Sequence, residues 1–291
     1  MLEELNLRQV YRHCAKGCVT FGISFGLMSH ALNTSVAPLF WSMNWTLPEG
    51  VHAVCTTRVG GVSKPPFEGF NLGDHVKDEP HAVAHNRALL QTQLAGVRPV
   101  FLSQVHGVEV AQVHGDTPDG IVADACVTQA SQVACTIMVA DCLPLLFTDE
   151  AGQIVAAAHA GWRGLAAGVI EQTVNALCTQ ASVPAAQVRV WLGPCIGPDA
   201  FEVGDDVRLA FAATEASSPL GDYFKPHPTQ AGKWLADLAG LARSRLQMQG
   251  VMSIAGNDST PEWCTVAQRS RLFSFRRDGV TGRFAVCIWR D

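Results

Sequence analysis

The chain has 291 residues, 48% hydrophobic and 16% charged, a balance that excludes intrinsic disorder, and its apolar runs are too short to span a bilayer. A formal net charge of -5 without any Lys/Arg stripe excludes a phosphate-neutralising nucleic-acid binder. Ten cysteines spread through apolar stretches, with no CxxC spacing, point to a reducing cytoplasm and exclude a disulfide framework or zinc ribbon.

Residues 1–42 read as an N-terminal extension of the frame, because Met43 immediately precedes the first strand-like segment; a single catalytic domain is expected over 43–291. The polar, acid-containing start weighs against a secretory signal. From Val51 the texture is that of a mixed α/β domain: VHAVCTTR alternates as a strand, and RVGGVSKPPFEGFNLG is a turn-rich loop. HAVAHNRALLQTQLAG has helical spacing, and VFLSQVHGVEVAQVH reads as one long or two short strands. CTIMVADCLPLLFTD and GQIVAAAHAGWRG are apolar strand-type runs joined by a turn, and LAAGVIEQTVNALCTQ is a helix. VRVWLGPCIG is a strand entering a Gly-Pro loop, and KWLADLAGLARSRLQMQG a helix ended by Gly250. Around Asp278-Gly279, FSFRRDGVTGRFAVCIW predicts a hairpin.

Three segments carry candidate chemistry. SQVHG places His106 at the end of a strand-type run, ADCLPLLF places Asp141 and Cys142 where an apolar run meets a proline, and HAGWRG places His159 before a Gly-rich turn. Side chains at strand ends beside such turns are positioned to converge on one cleft. Two imidazoles and a thiolate form a three-ligand set that suits zinc and leaves a fourth position for water or substrate. For each residue alone, a satisfied core histidine or inert core cysteine is the competing reading. Cys126, Cys135, Cys178 and Cys287 read as core, Cys195 as either loop packing or a cleft residue, and His114 and His227 as surface or structural.

TTRVGGVSKPPFEGFNLG, SQVHG, ADCLPLLF, HAGWRG and LGPCIGPDAFEVG, in that order, resemble the bacterial laccase-domain family, long labelled multicopper polyphenol oxidase. The resemblance runs from about Trp45 to the C-terminus and leaves the first 42 residues outside it; Asp199 departs from the small residue usual at its position. It implies one α-β-β-α layered domain of the type shared with cytotoxic necrotizing factor-like cysteine hydrolases. It also implies zinc, with copper as the competing metal, on His106, Cys142 and His159. The implied activity is phosphorolysis of adenosine, inosine, guanosine and S-methyl-5'-thioadenosine, together with adenosine deamination. Purine nucleosides and phosphate are then the partners, of a monomer or small homo-oligomer.

Deamination by this route uses a water activated on zinc and a carboxylate to shuttle the proton. Asp141 is the candidate, with orientation of a histidine ligand as its alternative role. Phosphorolysis needs an anion site, for which Arg58 and Arg163 are candidates with the backbone of Gly60 and Gly61, while Asn71 is placed to bond sugar or phosphate. The rival copper oxidase needs a second, His-rich copper cluster that the sequence does not show. Other rivals are a hydrolase using Cys142 as nucleophile and His159 as base, for which the family suggests a cell-wall precursor as substrate, and a non-catalytic binding module.

Overall fold

The structure is a computed structural model that describes residues 39–213 and 222–291. In chain order its strands are β1 (Phe40–Trp41), β2 (Val51–Thr56), β3 (Arg98–Ser103), β4 (Val110–Gln112), β5 (Ile121–Val122), β6 (Ala125–Thr128), β7 (Val133–Val139) and β8 (Leu143–Asp149). They continue with β9 (Val155–Ala160), β10 (Val188–Leu192), β11 (Glu202–Gly204), β12 (Phe224–Pro226), β13 (Lys233–Ala236), β14 (Ser253–Gly256) and β15 (Phe284–Arg290). The helices are α1 (Pro80–Gln93), α2 (Trp162–Ala167), α3 (Val169–Ala181), α4 (Asp205–Ala212), α5 (Leu238–Met248) and α6 (Phe275–Asp278).

Continuous apolar strands signal burial on both faces, and here two six-stranded mixed sheets stack. One runs β1-β2-β15-β7-β3-β5 and the other β14-β10-β8-β9-β6-β4, with β11-β13-β12 as a small third sheet. Alternation sorts the side chains between layers. Cys135, Ile137 and Val139 of β7 join Val286 and Ile288 of β15 and Leu146 and Trp191 of the opposing sheet in the central layer. Ala134, Met138, Ala285 and Cys287 point the other way and pack beneath Leu90 of α1. On the far side Leu145, Phe147, Ala156 and Ala158 pack against Ile170 and Val174 of α3 and Leu241 and Leu246 of α5. The expected α-β-β-α layering follows. No helix among the described residues is long and apolar enough to cross a membrane.

Several local expectations change. The proposed 1–42 extension lies outside the described residues up to position 38, but Phe40–Trp41 pair antiparallel with β2 and Trp41 is buried. Lys233–Ala236, expected in a helix, form strand β13; Asp237 then caps the helix by accepting from the Gly240 N–H, so α5 starts at Leu238. Gly168, at φ 103°, splits the single helix expected after HAGWRG into α2 and α3. No hairpin forms at Asp278-Gly279. Ser274 Oγ accepts from the Arg277 N–H and makes one helical turn, whose Arg277 guanidinium donates to the carbonyls of Thr265, Val266 and Leu272.

Candidate metal centre and substrate cavity

Four short connections at one end of the stacked sheets create the site. The loop after β3 carries His106, whose φ of 62° is left-handed and uncommon for a residue with a Cβ. Asp124, fully buried just before β6, holds that loop: its carboxylate accepts from the backbone N–H groups of Val105, His106 and Gly107 at 3.1, 2.8 and 2.6 Å. The same carboxylate takes the Nδ1–H of His159, 2.7 Å away, which turns the other ring nitrogen toward the cavity. Gln104 steadies the base of the loop, its amide bonding both the N–H and the C=O of Met138.

Cys142 enters from the turn between β7 and β8. Asp141 in that turn sits at φ 101°, a strained backbone held by its own contacts: its carboxylate accepts from Thr265 Oγ1 and from the Arg276 N–H, and its carbonyl from the Ile196 N–H. Asp141 therefore lines the cavity while tying the C-terminal segment to the turn. The orientation of a histidine ligand, one of its two expected roles, belongs instead to Asp124.

The ligand atoms of His106, Cys142 and His159 all lie within 4.8 Å of one another, and Cys142 Sγ is 3.7 Å from His106 Nε2. Gly161 makes this convergence possible, since a Cβ there would lie 2.7 Å from His106 Cδ2 and 3.1 Å from Cys142 Sγ. Burial pushes the Cys142 thiol up, but His159 and His106 beside it outweigh burial and lower its pKa to about 6. Burial pushes His159 down, and Cys142 and Asp124 more than reverse this, raising it to about 9. Burial raises the Asp124 carboxyl, and the hydrogen bonds from His159 and the loop amides pull it below its ordinary value. A thiolate with two imidazoles, one ring fixed by a carboxylate, is a donor set that fits a zinc-class ion.

The triad opens into a cavity of about 400 Å³, within the usual range for small-molecule sites. Trp162, Phe201 and Phe275 give it aromatic walls, and His75, Arg276 and Arg283 supply its basic groups. Burial lowers the Arg283 pKa, while Cys142 and Asp141 raise it. Burial also lowers His75, with Arg283 acting in the same direction.

The candidate phosphate residues do not meet here. Arg163 is exposed and stacks on the Trp162 ring at 4.3 Å. Arg58, Gly60 and Gly61 line a different cleft. Asn71, expected to bond sugar or phosphate, is fully buried, donates to Gly73 O and Asp78, and accepts from the Gly73 and Arg283 N–H groups. It braces the segment that carries Arg283 into β15. Asp124, His75, Arg276 and Arg283 were missed by the sequence reading; only the FSFRRDGVTGR segment, by its density of arginines, signalled two of them.

Residues 52–291 match the family described as multi-copper polyphenol oxidoreductase laccase. A Pseudomonas aeruginosa protein called purine nucleoside phosphorylase PA4543 is 48% identical over 246 residues, covering 84% of this chain and 96% of that protein. Escherichia coli K12 purine nucleoside phosphorylase YfiH is 45% identical, with the same coverage. The crystal structure of Neisseria meningitidis protein NMB0706 superposes with a TM-score of 0.78 at 44% identity, covering 87% of this chain and all (100%) of that one.

Proposed function

The chain belongs to the family described as multi-copper polyphenol oxidoreductase laccase, and on that basis we propose that it is a zinc-dependent purine nucleoside phosphorylase. We assign it adenosine, inosine, guanosine and S-methyl-5'-thioadenosine as substrates, adenosine deamination as an accompanying activity, and the cytoplasm as its compartment. The observation that carries this reading is that the His106, Cys142 and His159 triad and the Arg283 guanidinium open on the same aromatic-walled cavity. The purine nucleoside phosphorylase names of relatives at 48% and 45% identity support it.

In phosphorolysis a phosphate oxygen forms a bond to ribose C1′ as the glycosidic C–N bond breaks, and the purine leaves with the electron pair and takes up a proton. His106, Cys142 and His159 would hold a zinc ion, which when bound would supply a Lewis acid at the cavity. Arg283 holds the phosphate: its Nη1 is braced on the carbonyls of Thr281 and Gly282, and burial strengthens its attraction for an anion. Trp162, Phe201 and Phe275 offer the faces against which a purine stacks. The half-exposed His75 imidazole, whose pKa partial burial and Arg283 lower against the opposing pull of Asp74, offers an N–H to the base. Asp141 holds the proton in transit during deamination.

The test is metal content on protein purified without added metal, followed by adenosine turnover with and without phosphate. About one zinc per chain, phosphate-dependent adenine release and activity lost on chelation and restored by zinc are expected. Arg283→Gln should raise the phosphate KM by about tenfold or more while leaving zinc content unchanged, because one charge-assisted contact is lost. Several copper equivalents with phenol oxidation would overturn the reading, although among the described residues only one side-chain group is arranged to hold a metal.

A second reading is favoured by one observation. Cys142, His159 and Asp124 form a Cys-His-Asp relay with a lowered thiol pKa, the arrangement of a cysteine hydrolase. Activity in zinc-free protein that alkylation of Cys142 abolishes would establish it, with a cell-wall precursor among the substrates to try.

A further inference from the structure

We propose that the cleft between the Arg58–Ser63 loop and Arg269–Ser270 is a second binding site, separate from the catalytic cavity, for a phosphate dianion or a phosphate monoester. The two spaces share no lining residue. The loop is built to hold a particular shape. Gly60 and Gly61 have φ values of 82° and 71°, and a Cβ on Gly61 would lie 2.6 Å from the Gly69 carbonyl and 2.7 Å from Asn86 Oδ1. Fully buried Asn86 braces it from below, accepting from the Val62 N–H and donating to Ser63 Oγ and the carbonyls of Gly69 and Asn71.

That shape presents donors to the cleft. Among the described residues, neither the Gly60 nor the Gly61 N–H has an acceptor. Arg58 is fixed with its guanidinium 4.8 Å from the Phe273 ring centroid; its one hydrogen bond is a long 3.4 Å contact to the Arg269 carbonyl. Neither Arg58 nor Arg269 has a carboxylate within ion-pair distance among the described residues. Ser63 and Ser270 add hydroxyls, and Glu68, the one acid lining the cleft, offers an acceptor for a ligand hydroxyl. Two guanidiniums, backbone amides without an acceptor among the described residues, and hydroxyls around a single acid match the oxygens of a phosphate, whether free or carried on a sugar. The cation excess alone would attract any anion. The preformed glycine loop argues for one of phosphate shape.

The site stands apart from the nucleoside reading and is tested by binding. Isothermal titration of the full chain uses the Arg283→Gln background, which weakens phosphate in the cavity, with inorganic phosphate and ribose 5-phosphate as separate probes. Phosphate-class binding should persist there, and adding Arg58→Ala or exposed Arg269→Ala should weaken it by about tenfold each. A tighter fit for ribose 5-phosphate identifies a monoester as the ligand, and a tighter fit for inorganic phosphate identifies the free ion. Arg269→Ala removes an exposed side chain, so it guards against loss of fold in the Arg58 variant. Absence of binding in Arg283→Gln, or affinity unchanged by both further substitutions, overturns the proposal.

Discussion

Asp124→Asn is expected to lower zinc affinity by about 10- to 100-fold and to cost about 3 kcal/mol of stability. The reason is a count of donors. Oδ1 receives His159 Nδ1 and the His106 N–H, and Oδ2 receives the Val105 and Gly107 N–H groups, so every partner of this buried carboxylate is a donor. An amide of the same size retains one acceptor oxygen and turns an NH2 group toward two other donors, whichever way it is rotated. The His159 ring then loses its fixed tautomer, or the 105–107 loop loses the bonds that hold His106 in its left-handed backbone. Chelator competition for zinc and thermal unfolding, measured together, check this. Zinc affinity equal to that of the parent chain would show that Asp124 does not set the ligand geometry. The pH dependence has a definite sign. With the folded pKa below the unfolded one, the stabilisation by this carboxylate is complete at neutral pH and is lost only as pH falls through the folded value.

The triad was legible in the sequence because each ligand announces itself locally. His106, Cys142 and His159 each stand where an apolar strand-like run breaks at a glycine, an acid or a proline, and the layers could be read from the same runs. Asp124 announces nothing. It sits inside an apolar stretch, and its importance comes from contacts to residues 17 to 35 positions away that the pairing of β6 with β4 on one side and β9 on the other brings together. Arg58 and Arg163 illustrate the opposite error: arginine beside glycine suggested an anion site at the catalytic centre, yet the fold points one into a separate cleft and lays the other on Trp162. The hairpin expected at Asp278-Gly279 failed for a related reason. Asp-Gly is a turn signal by local conformation, but the cap from Ser274 and the three carbonyls that accept from Arg277 select a helical turn there.

Gly161→Ala separates the site from the fold more cleanly than removal of a ligand. Its backbone, φ -65° and ψ 159°, is open to any L-residue, so the substitution introduces no conformational strain. What it introduces is a methyl group 2.7 Å from His106 Cδ2 and 3.1 Å from Cys142 Sγ, closer than packed carbon and sulfur atoms tolerate. The His106 side chain is exposed and can swing outward to relieve the overlap, so the cost falls on ligand geometry and little of it on folding. A displacement of about 1 Å at a reacting centre is worth about 100-fold in rate, and a comparable loss of turnover, with partial loss of zinc, is expected. Gly164→Ala is the control, because its methyl would lie 2.8 Å from the Gly107 carbonyl, a backbone atom that cannot swing aside. That variant should lower the melting temperature, whereas Gly161→Ala should leave it within a few degrees of the parent. Turnover, zinc content and melting temperature for the two variants decide the matter. If Gly161→Ala keeps full activity and zinc, the triad is less tightly confined than its geometry indicates, and the ligands owe their convergence to Asp124 alone.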